Sequence, residues 1–94
     1  MKKGDILCAV WHYTQTIPDF YEVLQNTGKT VLVKEIGKKV VSSDGYGQCG
    51  WMVADRTESG REIRKRINKF GEIRIGGARA NMWNGQPVYF DYYD

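Results

Sequence analysis

Residues 4–36 read GDILCAVWHYTQTIPDFYEVLQNTGKTVLVKEI, and this stretch decides the fold. Its three runs of β-branched and aromatic residues are separated by turn formers, a pattern typical of antiparallel strands. Residues 26–29 predict a hairpin turn, because Gly28 can adopt the positive φ angle that a tight connection requires. The stretch therefore predicts a three-stranded antiparallel meander.

The first strand is predicted over residues 5–13. Side chains alternate along a strand, so Leu7, Ala9 and Trp11 should share one face, with Ile6, Cys8 and Val10 on the other. Residues 14–19 are predicted to form a loop, because Pro18 discourages strand pairing. The second strand is expected over residues 20–25, and the third is expected to bend or bulge at Gly37.

The middle of the chain is richer in turn formers. Residues 42–50 contain three glycines and predict a loop that exposes Tyr46. Residues 51–54 predict a short fourth strand, followed by a second loop over residues 55–60.

Residues 61–70 fit two patterns. Ile63, Ile67 and Phe70 are spaced as on one face of a helix, whereas Ile63, Lys65 and Ile67 alternate as in a strand. We favour a strand, because Gly60 and Gly71 leave only ten residues between them, and an isolated helix of that length is marginal.

The last third again predicts strands. A strand over residues 72–75 precedes a turn at Gly76 and Gly77, and Asn84-Gly85 predicts a hairpin turn before a final strand over residues 87–92. The whole pattern predicts a mainly β fold, either a small SH3-like or Tudor-like barrel or a curled antiparallel sheet. One short helix over residues 61–70 is the alternative.

The length of the chain predicts one domain over residues 1–94. The apolar fraction of 41% is too high for a disordered chain. No apolar run is long enough to cross a bilayer. The N-terminus has the basic start of a signal peptide, but its apolar stretch is too short and no cleavage site follows, so we expect a cytoplasmic protein without membrane contact.

Charge is unevenly distributed. Residues 1–55 hold six basic and six acidic side chains, so the net charge of +3 arises entirely from residues 56–94. Most of the basic residues in that second half are arginines, whose planar guanidinium groups grip phosphates and carboxylates in a fork geometry. A solvated strand or helix face is the simpler explanation of such a run.

Known catalytic patterns are absent from the sequence. Cys8 and His12 are too far apart along one strand for a hydrogen bond, and the glycines of residues 45–50 lack the following helix that a phosphate-binding loop needs. Two cysteines and one histidine are too few for a zinc site. We therefore expect no catalytic residues, no metal and no cofactor.

Aromatic and basic residues are the candidates for binding. Trp11, Tyr13 and Gln15 share one face at the end of the first strand, and aromatic side chains flanked by arginines are the components of single-strand binding on small barrels. The alternative is that Trp11 and Tyr13 only close one end of a barrel. The predicted concave site with its basic edge consists of Trp11, Tyr13, Gln15, Trp51, Arg64, Arg66 and Arg74.

Several segments resemble a family of small proteins found on bacteriophages, prophages, plasmids and conjugative elements. These segments are GDIL at residues 4–7, WHYTQT at 11–16, FYEV at 20–23 and TGKTV at 27–31. His12 and Thr14 stand where the family usually has glycine and aspartate. The resemblance implies a mobile-element origin and implies no particular activity.

Two functional hypotheses remain. The first is a non-enzymatic protein that binds RNA or single-stranded DNA through a basic and aromatic face. The second is a counter-defence or accessory protein that binds and blocks a host protein or a signalling nucleotide, for which an arginine-rich face would also be suited.

Overall fold

The computed structural model describes residues 1–12 and 15–92, and this part of the chain contains seven strands and no helix. Every strand pairing is antiparallel. The strands are β1 (Ile6–His12), β2 (Thr16–Asn26), β3 (Thr30–Ser43), β4 (Cys49–Arg66), β5 (Ile73–Ile75), β6 (Ala78–Met82) and β7 (Val88–Asp91). The prediction of a mainly β fold is confirmed.

The N-terminal meander is present as predicted. β2 pairs with β1 on one side and with β3 on the other, so that Tyr21 lies opposite both Leu7 and Glu35. Gly28 has a φ angle of 89° in the turn between β2 and β3, and the amide and hydroxyl groups of Thr27 and Thr30 close this turn.

The loop predicted over residues 14–19 is wrong from Thr16 onward, because β2 begins there and Pro18 pairs with Val10. The carbonyl of Pro18 accepts a hydrogen bond from Nζ of Lys38 on the β3 side. The ring nitrogen of Pro18 faces the same way as its carbonyl, and the β2–β3 ladder stops at Phe20. The missing amide hydrogen therefore breaks no strand pairing.

The predictions for residues 42–60 need a second correction. β3 continues to Ser43 and β4 runs without interruption from Cys49 to Arg66, so residues 55–60 are strand rather than loop. Register shifts near Gly37 and near Val40 absorb the irregular stretches, as the predicted bulge at Gly37 suggested. Residues 61–66 form a strand, so the helix alternative is wrong.

The last third is corrected at two points. The strand over residues 78–82, β6, was not predicted. Asn84-Gly85 is not a hairpin turn, because β6 pairs with β1 whereas β7 pairs with β4 and β2. The turn predicted at Gly76 and Gly77 is confirmed and joins β5 to β6.

The sheet buries side chains on both faces, in two separate clusters. Leu7 and Ala9 belong to the first core, with Tyr21, Val23, Val31, Val33, Ile73, Ile75 and Ala80. Ile6 and Cys8 belong to the second core, with Phe20, Ile36, Met52 and Phe90. The predicted alternation along the first strand is therefore confirmed.

The strand order is β3-β4-β7-β2-β1-β6-β5, with an additional pairing between β2 and β3. Strands β2, β3, β4 and β7 thus form a circuit of pairings on the side of the second core. On the side of the first core, β5 ends the order and does not pair with the nearby C-terminal half of β4. This unpaired junction positions the candidate site.

Candidate functional site

An open cleft of about 690 Å³ lies between β4 and β5, on the face of the first core. Residues 62–66 of β4 pair only with β3, and β5 pairs only with β6, so each strand presents a free edge to the cleft. The lining residues are Trp11, Asp19, Tyr21, Glu35, Arg61, Glu62, Ile63, Arg64, Lys65, Ile75 and Gly76.

Trp11 is fixed in orientation at one wall of this cleft. Its indole Nε1 donates a hydrogen bond to Oδ2 of Asp19 over 2.8 Å, and Oδ1 of Asp19 accepts one from Nζ of Lys38, also over 2.8 Å. The ring packs on Gly76, where a Cβ atom would collide with it. A ring held by a hydrogen bond and a close backbone contact loses little entropy when a ligand stacks on it.

Tyr21 forms the floor of the cleft. The residue as a whole is only 3% exposed, and its hydroxyl, which has no hydrogen-bond partner among residues 1–12 and 15–92, is accessible from the cleft. Burial, followed by the negative charges of Asp19 and Glu35, raises the pKa of Tyr21 to about 12. The hydroxyl therefore stays protonated at neutral pH, and it remains available as a donor.

Glu35 lies opposite Tyr21 on the neighbouring strand, so both side chains project from the same face. Its carboxylate packs beside the backbone of Gly60 and has no ion pair or hydrogen bond within the described part of the chain. Asp19, in contrast, is paired with Lys38. Glu35 therefore offers two free acceptor oxygens to the cleft.

Basic residues of β4 line the cleft, and Arg74 lies on the bordering strand β5 outside that lining. Arg64 on β4 donates to Oγ1 of Thr30 over 3.0 Å and to Oε1 of Gln25 over 3.2 Å. On the other side, Arg74 donates to the carbonyl of Gly77 over 3.0 Å. Arg61, Lys65 and Arg66 add positive charge along β4, and we refer to Arg61, Arg64, Lys65, Arg66 and Arg74 as the basic rim.

The predicted site residues fall into two groups. Trp11 and Arg64 line the cleft, and Arg66 and Arg74 lie on the two strands that border it. Gln15 instead donates a hydrogen bond to the carbonyl of Tyr92 over 2.9 Å. Tyr13 lies outside the described residues.

Trp51 is separate from the cleft. It lies in the β4–β7 pairing, opposite Tyr89, with the two ring centroids 5.5 Å apart in an edge-to-face arrangement. It therefore belongs to a different surface, on the face of β4 and β7 that points away from the second core, because Met52 and Phe90 face that core.

Sequence reasoning missed Asp19, Tyr21, Glu35 and Gly76. Asp19 was placed in a loop, so its alternation with Tyr21 was not used. The signal was available, because a strand starting at Thr16 puts Asp19 and Tyr21 on the same face of β2. Glu35 follows from the hairpin register, which pairs it with Tyr21.

Comparison with known proteins gives no relative: no protein family, no curated protein and no solved structure matches the chain. In the residues that the structure describes, no group of three or more histidine, cysteine, aspartate or glutamate side chains is arranged to hold a metal ion. The described residues also contain no helix suited to crossing a membrane. The cleft is therefore the feature of the molecule from which a function can be inferred.

Proposed function

We propose that this protein binds single-stranded nucleic acid, either RNA or single-stranded DNA, through the cleft and its basic rim. The observation that carries the proposal is the fixed ring of Trp11 in a cleft that is also lined by three basic residues of β4. Stacking on an aromatic side chain contributes about 1–3 kcal/mol per base, and cationic side chains neutralise the phosphates on either side of that base.

The architecture of the cleft favours a single strand over a duplex. A base in a duplex is stacked on both faces and cannot reach a ring inside a cleft, whereas an unstacked base can. The free edges of β4 and β5 keep this cleft open along its length. A strand would therefore pass over the rim with its bases turned inward.

The proposed role is stoichiometric rather than enzymatic, in the cytoplasm of a host that carries a phage or another mobile element. The buried thiol of Cys8 supports this view, because burial and the charge of Asp19 raise its pKa to about 11 and leave it protonated at neutral pH. A thiol in that state is a poor nucleophile.

Binding can be tested by fluorescence anisotropy with a labelled short single strand, at increasing salt. Affinity should fall steeply with salt, because basic side chains release counterions from the phosphates. Lys65→Ala should weaken binding and reduce the salt slope by about one. Lys39→Ala removes the same charge outside the cleft and serves as the matched control.

Two outcomes would refute the proposal. One is the absence of binding to any single strand at low salt. The other is an equal loss of affinity in the two lysine variants, which would indicate that net charge matters and the cleft does not.

The alternative, binding to a host protein, is favoured by a different surface. Trp51 and Tyr89 are 45% and 42% exposed, and exposed aromatic pairs are typical of protein interfaces. If a host partner is retained after nuclease treatment and lost in Trp51→Ala but not in Lys65→Ala, the alternative is supported. A signalling nucleotide would instead compete with the single strand for the cleft.

A further inference from the structure

We infer that the cleft receives one unstacked base and selects guanine, through the Tyr21 hydroxyl and the Glu35 carboxylate; this inference rests on the proposed function. The inference adds to the proposed function the base that is bound, guanine, and the two residues that recognise it. Neither residue belongs to the basic rim, so the inference can fail while single-strand binding persists.

The relevant side chains lie on one face of the sheet. Tyr21 pairs with Glu35 across the β2–β3 hairpin, and Asp19, which holds Trp11, is two residues before Tyr21 on β2. The negative charge of Glu35 is close enough to act on the Tyr21 hydroxyl. The stacking ring, the hydroxyl and the carboxylate therefore all face the same cleft.

Guanine matches the polar groups in this cleft. Its Watson–Crick edge presents two adjacent N–H donors, at N1 and N2, followed by the acceptor O6. A carboxylate can accept both N–H groups, and a tyrosine hydroxyl can donate to O6. Hydrogen bonds to a charged acceptor are also stronger than neutral ones.

The other bases match less well. Adenine and cytosine each present one exocyclic amino group beside a ring nitrogen that is an acceptor. That ring nitrogen would face the second carboxylate oxygen of Glu35, with no proton between the two acceptors. Uracil and thymine present a single N–H between two carbonyl oxygens, one of which would lie against the carboxylate. Two acceptors that face each other without a proton between them weaken binding.

The hydroxyl of Tyr21 is a free hydrogen-bonding group at the floor of the cleft. It has no hydrogen-bond partner among the described residues, and it is accessible from the cleft, since no buried polar side-chain atom in this part of the chain is left without a partner. It lines the cleft, where O6 of a bound guanine would supply the missing acceptor.

The size of the cleft is suited to one nucleotide. Pockets for small ligands span about 300–1,000 Å³, and this cleft measures about 690 Å³. A single base would occupy the space between Trp11 and β4, while its phosphates would reach the basic rim.

The test uses labelled oligouridines that carry one central guanosine, inosine, adenosine or cytidine. We expect guanosine to bind about tenfold more tightly than adenosine or cytidine. Inosine lacks the 2-amino group and should fall in between. In Glu35→Ala the difference between guanosine and inosine should disappear, and in Tyr21→Phe the preference for guanosine should decrease.

Two control variants accompany these measurements. Tyr89→Phe removes a hydroxyl and Glu58→Ala removes a carboxylate, and both lie outside this cleft, so each should keep the wild-type preference. Tyr21→Phe retains the buried ring and breaks no hydrogen bond within the described residues, so its thermal unfolding should match the wild type.

The outcomes separate the two proposals. Tight binding of all oligonucleotides without a preference for guanosine would overturn this inference and leave the proposed function intact. If the preference for guanosine is retained in both Tyr21→Phe and Glu35→Ala, other residues select the base, and this result also overturns the inference. Absence of binding to every oligonucleotide would remove the proposed function, and the inference with it.

Discussion

Gly76 is the residue on which the orientation of Trp11 depends. Its φ angle is +60°, and a Cβ atom there would meet the indole ring. Gly77 also has a positive φ angle, +94°, but a Cβ atom at that position would meet nothing within 4 Å. A substitution at either glycine would strain the backbone, but only a substitution at Gly76 would also bring a side chain against Trp11.

We predict that Gly76→Ala destabilises the protein more than Gly77→Ala does. Both substitutions force alanine into a left-handed conformation, at about 1–2 kcal/mol, but only the first displaces Trp11. Urea unfolding measures the difference, and single-strand binding should decrease in Gly76→Ala alone. Equal stability and equal binding in the two variants would contradict the contact.

We predict that the free energy of unfolding depends on the ionisation of Tyr21 in alkaline solution. Its pKa is raised from 10.0 to about 12 in the folded protein, so the folded state holds the phenolic proton more tightly than the unfolded state does. The resulting stabilisation is complete below pH 10 and is lost as the pH rises towards about 12. Cys8 adds a loss of the same sign between pH 9.0 and about 11.

Two measurements check the alkaline prediction. The ultraviolet absorbance of the phenolates, compared between wild type and Tyr21→Phe, should show that the tyrosine lost in the variant ionises well above pH 10.0. The unfolding free energy of Tyr21→Phe should also decline less steeply above pH 10 than that of the wild type. A parallel decline in both proteins would contradict the assigned cause.

At the scale of the elements, sequence alone predicted the meander because alternation and turn chemistry agree there. β2 was predicted four residues too short at its start, because Pro18 was read as a break. The side of β2 that carries the nitrogen and the carbonyl of Pro18 faces the Lys38 side chain and not a paired strand. This arrangement exists only because the β2–β3 pairing stops at Phe20. That is a tertiary property, and local sequence does not encode it.

The continuity of β4 was not predicted, for a different reason: strands were expected over residues 51–54 and 61–70, with a loop between them. Residues 55–60 are polar and exposed, so they carry no alternation of buried and exposed side chains. Only Asp55 and Ser59 in this stretch pair with β3, and a register shift separates the two pairs. The cleft was only partly predictable for the same reason: Trp11 and the basic residues were identified, whereas Tyr21 and Glu35 required the register.

For the whole molecule, the central question is whether two cores make one folding unit. β1 and β2 each supply side chains to both: Leu7 and Ile6 are consecutive, as are Phe20 and Tyr21. Loss of either core would therefore remove one face of the same two strands. This sharing favours a single cooperative transition, as is usual for domains of this size.

We predict that both cores unfold together. Trp11 reports on the first core and Trp83, whose ring lies 5.4 Å from that of Phe20, reports on the second. In a Trp51→Phe background, two further variants keep only one tryptophan each, and their urea transitions are compared with and without Phe90→Leu. This substitution reduces packing in the second core, where Phe90 is fully buried, and should lower the midpoint by the same amount at both probes.

A midpoint that falls at Trp83 but is unchanged at Trp11 would show that the cleft is built on a core that folds independently. Coincident shifts would instead mean that the stability of the cleft depends on residues on the opposite face of the sheet.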